Sequence, residues 1–145
     1  MTNGIQRRIS ALVSALLLLC ATTFLHAQGD KAPASPAATA TTTFDGVTAT
    51  VNYSQPGKKG REIFGKLVPF DKVWRTGAND ATTITFSGDV NFGGKALKAG
   101  TYAFFTIPTK DKWTFIINSE AKQFGAFTYK KEKDILRVEA TPTAT

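Results

Sequence analysis

The chain has 145 residues, 18 of them basic and 11 acidic, for a formal net charge of +7, and 42% are hydrophobic. That suffices for one domain with a real core and is too little for two. The only histidine, His26, and the only cysteine, Cys20, lie in a segment that reads as a cleaved export signal. The remainder therefore excludes Ser-His-Asp triads, Cys-His nucleophiles, disulfides and zinc sites built from Cys or His.

Arg7 and Arg8 precede an apolar run from Ile9 to Leu19, too short to span a bilayer comfortably and followed by polar sequence. A short basic region before a short apolar one is the layout of a secretory signal peptide, and Leu25-His26-Ala27 offers a cleavage site. Residues 1–27 are the expected signal, and the expected location is periplasmic or extracellular. Leu19 before Cys20 is not the small residue a lipoprotein signal needs, so lipid anchoring at Cys20 is not expected. Residues 28–43 are Ala, Thr, Pro, Ser and Gly with almost nothing to bury, which predicts a flexible tether.

Beyond the tether, the composition is that of an all-β protein. Outside the signal only Leu67, Leu97 and Leu136 remain of the leucines, whereas phenylalanines and threonines are plentiful. Val47, Ala49, Val51 and Tyr53 alternate with Thr48, Thr50 and Asn52, and Ile84 and Phe86 with Thr83 and Thr85, as half-buried strands do. Val90 and Phe92 run into Gly93-Gly94, a hairpin turn that leads out through Ala96-Leu97. Residues 101–107 and 113–117 are apolar on both faces, which predicts two central strands joined by a turn at residues 108–112. A last hairpin is expected between residues 127–129 and 135–138, and a short helical turn at residues 61–67. The expected fold is a single antiparallel β-sandwich over residues 44–140, with a flattened barrel as the alternative, followed by a tail at 141–145.

The charge balance stays positive after Arg7 and Arg8 leave, and the lysines cluster at expected turns: Lys58 and Lys59, Lys95 and Lys98, Lys110 and Lys112, Lys130, Lys131 and Lys133. Lysines at hairpin tips keep a β protein soluble and discourage edge pairing. Gly57-Lys58-Lys59-Gly60 mimics a nucleic-acid-binding GxxG loop, but it follows a strand and Pro56 instead of joining two helices. No nucleic-acid partner is expected.

The segment Val73-Trp-Arg-Thr-Gly-Ala-Asn-Asp80 gathers an aromatic, a guanidinium, an amide and a carboxylate around a glycine. Arg75 has the fork that suits a carboxylate or phosphate, and Trp74 the ring face that suits a sugar or a cation. A purely structural reading stands beside this one, with Trp74 plugging the core, Arg75 bonded to Asp80 or loop carbonyls, and Asn79 capping a turn. Tyr53-Ser-Gln55-Pro56 and Arg61-Glu62 form a second cluster. The candidate ligand-binding residues are thus Trp74, Arg75, Asn79, Asp80, Arg61 and Gln55, with Glu62 and Asp80 the one acid pair available for general acid–base work. Asp89-Val-Asn-Phe-Gly93 fails as a calcium loop, and neither a metal nor a cofactor is expected.

Ser54-Gln55-Pro56, Lys59-Gly60-Arg61, Ile63-Phe64-Gly65, Leu67-Val68-Pro69, Val73-Trp74-Arg75-Thr76-Gly77-Ala78-Asn79 and Leu97-Lys98-Ala99-Gly100-Thr101-Tyr102 occur in that order. With Phe105-Thr106-Ile107-Pro108 and Trp113-Thr114, they resemble the bacterial family catalogued as domain of unknown function 2911, from about Phe44 to Val138. The resemblance implies a secreted or periplasmic protein and transfers no catalytic residue. The family pattern usually has Glu where this chain has Asp80, and it usually continues into further β-sequence where this chain has Thr141-Pro-Thr-Ala-Thr145. The expectation is either a shortened variant or a fragment lacking its closing strands. Three functional readings follow: a non-enzymatic envelope domain binding a small polar ligand or glycan, a hydrolase using Glu62 and Asp80, and a structural component assembling through a sheet edge.

Overall fold

The computed structural model describes residues 33–143, within a compact unit that begins at Pro33; the expected signal and the first part of the expected tether lie outside the described residues. The chain forms eight strands: β1 (Ala37–Phe44), β2 (Val47–Ser54), β3 (Thr83–Phe86), β4 (Val90–Phe92), β5 (Lys95–Leu97), β6 (Gly100–Pro108), β7 (Trp113–Asn118) and β8 (Asp134–Ala140). Six form one antiparallel sheet in the order β1-β2-β3-β6-β7-β8, and β4 and β5 form a separate hairpin. The fold is all-β and sandwich-like, and the six-stranded sheet does not close into a barrel.

The two strands expected to be apolar on both faces, β6 and β7, are adjacent interior strands of the sheet. On β6, Tyr102 and Phe104 point to one face while Ala103 and Phe105 point to the other; on β7, Ile117 and Ile116 divide the same way. Ala103, Phe105, Ile116 and Ile117 are each 0% exposed. Burial on this scale contributes about 1.5–3 kcal/mol for each large side chain. The first face is covered by the β4–β5 hairpin, whose Val90, Phe92 and Leu97 pack on Ala49, Ile84, Phe86 and Leu136. Gly93 and Gly94 turn that hairpin with φ of 57° and 84°, the left-handed pair that a tight two-residue turn requires. Asp89 pins its base, accepting from the Ala99 amide at 2.9 Å and from Lys98 Nζ at 2.7 Å. The second face is covered by irregular chain, with Val73, Ala81, Ala126 and Tyr129 lying against Phe105 and Ile116.

Three expectations give way. The tether does not run to residue 43, because residues 37–44 pair along their whole length with β2, from Ala37 opposite Ser54 to Phe44 opposite Val47. β1 buries almost nothing; main-chain bonds and side-chain pairs such as Thr39 Oγ1 to Asn52 Oδ1 at 2.7 Å hold it. Composition hides such a strand, but Asp45-Gly46, with φ of 47° and 76°, is a hairpin signature. The expected helical turn at 61–67 is instead a loop closed by a bridge between Phe64 and Val68, and Gly65 (φ 84°) breaks any helical course. Among the described residues the helical content is one 3₁₀ turn, Lys131–Lys133.

The last hairpin also differs, since β8 pairs with β7 while Phe127, Thr128 and Tyr129 lie in the covering loop. A polar knot fastens that loop. Asp134 accepts from Tyr129 Oη at 2.6 Å, Arg137 Nε at 2.8 Å and Asn118 Nδ2 at 2.9 Å, and Arg137 Nη2 donates to Tyr129 Oη at 2.6 Å. Burial, reinforced by the Asp134 carboxylate, pushes the Tyr129 phenol up to about 12.

Candidate functional site

One edge of β6 carries two partners in succession. Thr83 of β3 faces Ala103, and farther along Trp74 faces Thr106, with Trp74 N to Thr106 O at 2.7 Å and Thr106 N to Trp74 O at 3.0 Å. Arg75 to Thr82 is therefore an excursion out of one antiparallel ladder, with both ends tied to β6. The Thr82 amide closes it by donating to Arg75 O at 3.2 Å.

The excursion is strained. Thr76 (φ 56°) and Asn79 (φ 58°) occupy the left-handed region, which a β-branched residue such as Thr76 enters at a cost of about 1–3 kcal/mol. Thr76 Oγ1 meets Thr106 Oγ1 at 3.1 Å and donates to Trp74 O at 3.3 Å, while Thr82 Oγ1 donates to Thr76 O at 3.0 Å. Asn79 Nδ2 reaches Ser35 O at 3.3 Å and Ser54 Oγ at 3.4 Å. Strain held by this many bonds fixes the direction of the neighbouring side chains.

A cleft of about 580 Å³ opens beside the excursion, bordered by Trp74, Arg75, Lys58, Arg61 and Lys72, and no Asp or Glu lines it. Its apolar wall is anchored, because Trp74 packs edge-on against Phe64 (5.8 Å between centroids) and Trp113 (6.4 Å). Arg61 is partly committed to the loop beside it, donating from Nη2 to Gly57 O at 2.7 Å and from Nε to Lys58 O at 3.1 Å. Arg75 differs. Its Nε is buried with no hydrogen-bond partner, and among the described residues no ion pair engages its guanidinium. A buried donor left unpaired costs about 1–3 kcal/mol.

A second cleft, of about 540 Å³, is bordered by Asp80 together with Asn52, Tyr53, Lys122, Gln123 and Phe124. The structure thus brings Trp74, Arg75, Asn79 and Arg61 to one cleft and places Asp80 at the other. Gln55 and Glu62 border neither; Gln55 donates from Nε2 to Tyr53 Oη at 3.4 Å. Glu62 and Asp80 share no cleft, and the Arg75–Asp80 bond that the structural reading allowed is not among the ion pairs of the described residues. Lys58, read from its position as a turn lysine, and Lys72, which sequence reasoning did not single out, also border the first cleft. Among the described residues no group of three or more Asp, Glu, His or Cys side chains is gathered to hold a metal.

No curated protein and no solved structure matches the chain. A family model matches residues 35–145, which takes in the whole sheet, the hairpin and both clefts, and the chain belongs to that family, Protein of unknown function (DUF2911).

Proposed function

We propose that the protein is a non-enzymatic binding domain of the bacterial cell envelope, and that the cleft beside Trp74 takes a small anionic ligand. The supporting observation is a cleft bordered by Arg75, whose guanidinium no ion pair engages among the described residues, and by three further cations with no carboxylate. Such a wall has a positive potential that a phosphate, sulfate or carboxylate neutralises, and the fork of an arginine matches two oxygens of each. Trp74 supplies the apolar platform that orients the rest of a ligand. Export rests on the sequence from Arg7 to Ala27. A hydrolase using a carboxylate pair finds no comparable support, since Glu62 and Asp80 face different surroundings.

Inorganic phosphate titrated into the protein, with tryptophan fluorescence as the signal, tests the reading. Both tryptophans belong to the aromatic cluster at the cleft, so occupancy should change their emission saturably. Arg75→Met should abolish the change and Glu62→Gln should leave it intact. An unaltered titration in Arg75→Met would make the site assignment wrong.

A further inference from the structure

Two phenylalanines stand in the open on the loop between β7 and β8. Phe124 is 63% exposed and Phe127 81%, and their rings stack with centroids 6.1 Å apart and 17° between planes. This is not a loose tip. Phe124 bridges to Asp80, the Ala81 amide donates to Gln123 O at 3.0 Å, and the Gly125 amide donates to Asn79 O at 3.0 Å. The loop is thereby stitched to the excursion that carries Arg75.

Gly125 has φ 65°, and a Cβ there would fall 2.9 Å from Phe127 Cε2 and 3.5 Å from Arg75 Nη1. The exposed pair and the guanidinium therefore meet around the same glycine. On its other side Phe124 borders the second cleft, where Asp80 and Lys122 also lie, and no ion pair engages either of them among the described residues.

Exposed aromatic faces, a neighbouring cation and hydroxyl-binding polar groups answer the chemistry of one ligand class. The apolar C–H face of a pyranose stacks on phenyl rings, its hydroxyls bond to a carboxylate such as that of Asp80, and a carboxylate or sulfate on the ring forks onto guanidinium. A purely apolar partner would use the rings and leave Arg75, Asp80 and Lys122 unanswered. We propose that Phe124 and Phe127, with Arg75 on one side and Asp80 on the other, form a binding surface for an acidic polysaccharide, a chain of uronate or sulfated sugars. The inference rests on the anion-binding reading of Arg75 and extends it to a ligand class and to residues outside that cleft.

Calorimetric titration of the full-length protein tests it, with oligogalacturonate, oligomannuronate and a heparin tetrasaccharide as acidic probes. A neutral galacto-oligosaccharide and inorganic phosphate are the comparisons. At least one acidic oligosaccharide should bind more tightly than phosphate, and the neutral one should bind weakly or not at all. Phe124→Ala with Phe127→Ala should weaken the acidic oligosaccharide about tenfold or more, the effect of losing about 1.4 kcal/mol of contact, and leave phosphate binding unchanged. Both rings are in solvent, so the double variant should keep its fold, which circular dichroism checks. Arg75→Met should abolish both kinds of binding. If phosphate binds and no acidic oligosaccharide does, or if the double variant binds the oligosaccharide as well as the wild type, the polysaccharide surface is overturned while the anion site stands. If neither phosphate nor any oligosaccharide binds, the anion site itself fails, and this inference with it.

Discussion

Replacing Arg75 by Met removes the guanidinium and keeps an unbranched apolar stem of similar reach. In the wild type, Nε is buried without a partner, so folding bears the desolvation of that group, about 1–3 kcal/mol, with nothing in the protein to offset it. Methionine has no such group to desolvate, and its flexible thioether fills irregular space well. Removing one of four cations from the cleft adds a smaller gain, because exposed like charges interact weakly. Stability should therefore stay level or rise by about 2 kcal/mol. For a domain of this size each kcal/mol moves the melting temperature by roughly 4 °C, so the variant should melt between the wild-type temperature and about 8 °C above it. The assay is thermal unfolding by circular dichroism in low-salt buffer without phosphate or sulfate. Arg75→Lys makes a useful companion, since it retains the charge but loses the fork. A melting temperature more than about 4 °C below wild type in Arg75→Met would refute the reasoning and make the guanidinium a structural brace.

Three further substitutions test the scaffold. Gly93→Ala places a Cβ 2.6 Å from Val138 Cγ2 on a left-handed backbone, so overpacking and strain together should cost about 2–4 kcal/mol, read as a lower urea midpoint with unchanged slope. Gly77→Ala brings a Cβ to 3.1 Å from both Ser54 O and Thr82 Oγ1; β2 holds the first and the bond to Thr76 O holds the second, so a loss of about 1 kcal/mol is expected, and a stabilised variant would show that the excursion is looser than described. The phenol of Tyr129 is held neutral, so what it contributes to stability is complete below pH 10 and lost as the pH rises toward about 12, where the unfolded chain releases a proton that the native state keeps. The stability advantage of wild type over Tyr129→Phe should accordingly shrink between pH 10 and pH 12 in urea titrations, and an advantage that stays constant over that window would contradict the assignment.

How much of this was legible in the sequence depended on how much each segment buries. β6 and β7 were readable because Phe104 and Phe105, or Ile116 and Ile117, are consecutive apolar residues that only a strand covered on both faces can bury. β1 was not, because Ala37 to Phe44 sits at a sheet edge and is held by backbone pairing, which leaves no hydrophobic pattern. Phe127 misled in the opposite sense: an aromatic beside Tyr129 reads as strand filler, yet among the described residues it is the most exposed large apolar side chain and Tyr129 is half-buried in the polar knot. At the site, Trp74 and Arg75 stood out because residues 73–80 gather an aromatic, a guanidinium, an amide and a carboxylate around a glycine. What no spacing rule revealed was that Thr76 to Ala81 loops out of a ladder on β6, and this is what separates Asp80 from Arg75 and sends them to different clefts.

The most direct test of the central claim is a pair of thermal melts, wild type and Arg75→Met, in sodium phosphate against sodium chloride at matched ionic strength. A ligand at a hundred times its dissociation constant adds about 2.7 kcal/mol, which is roughly 10 °C here. The account predicts a rise of that order for wild type in phosphate and none for Arg75→Met. An equal response from both proteins, or no response from the wild type, would contradict it.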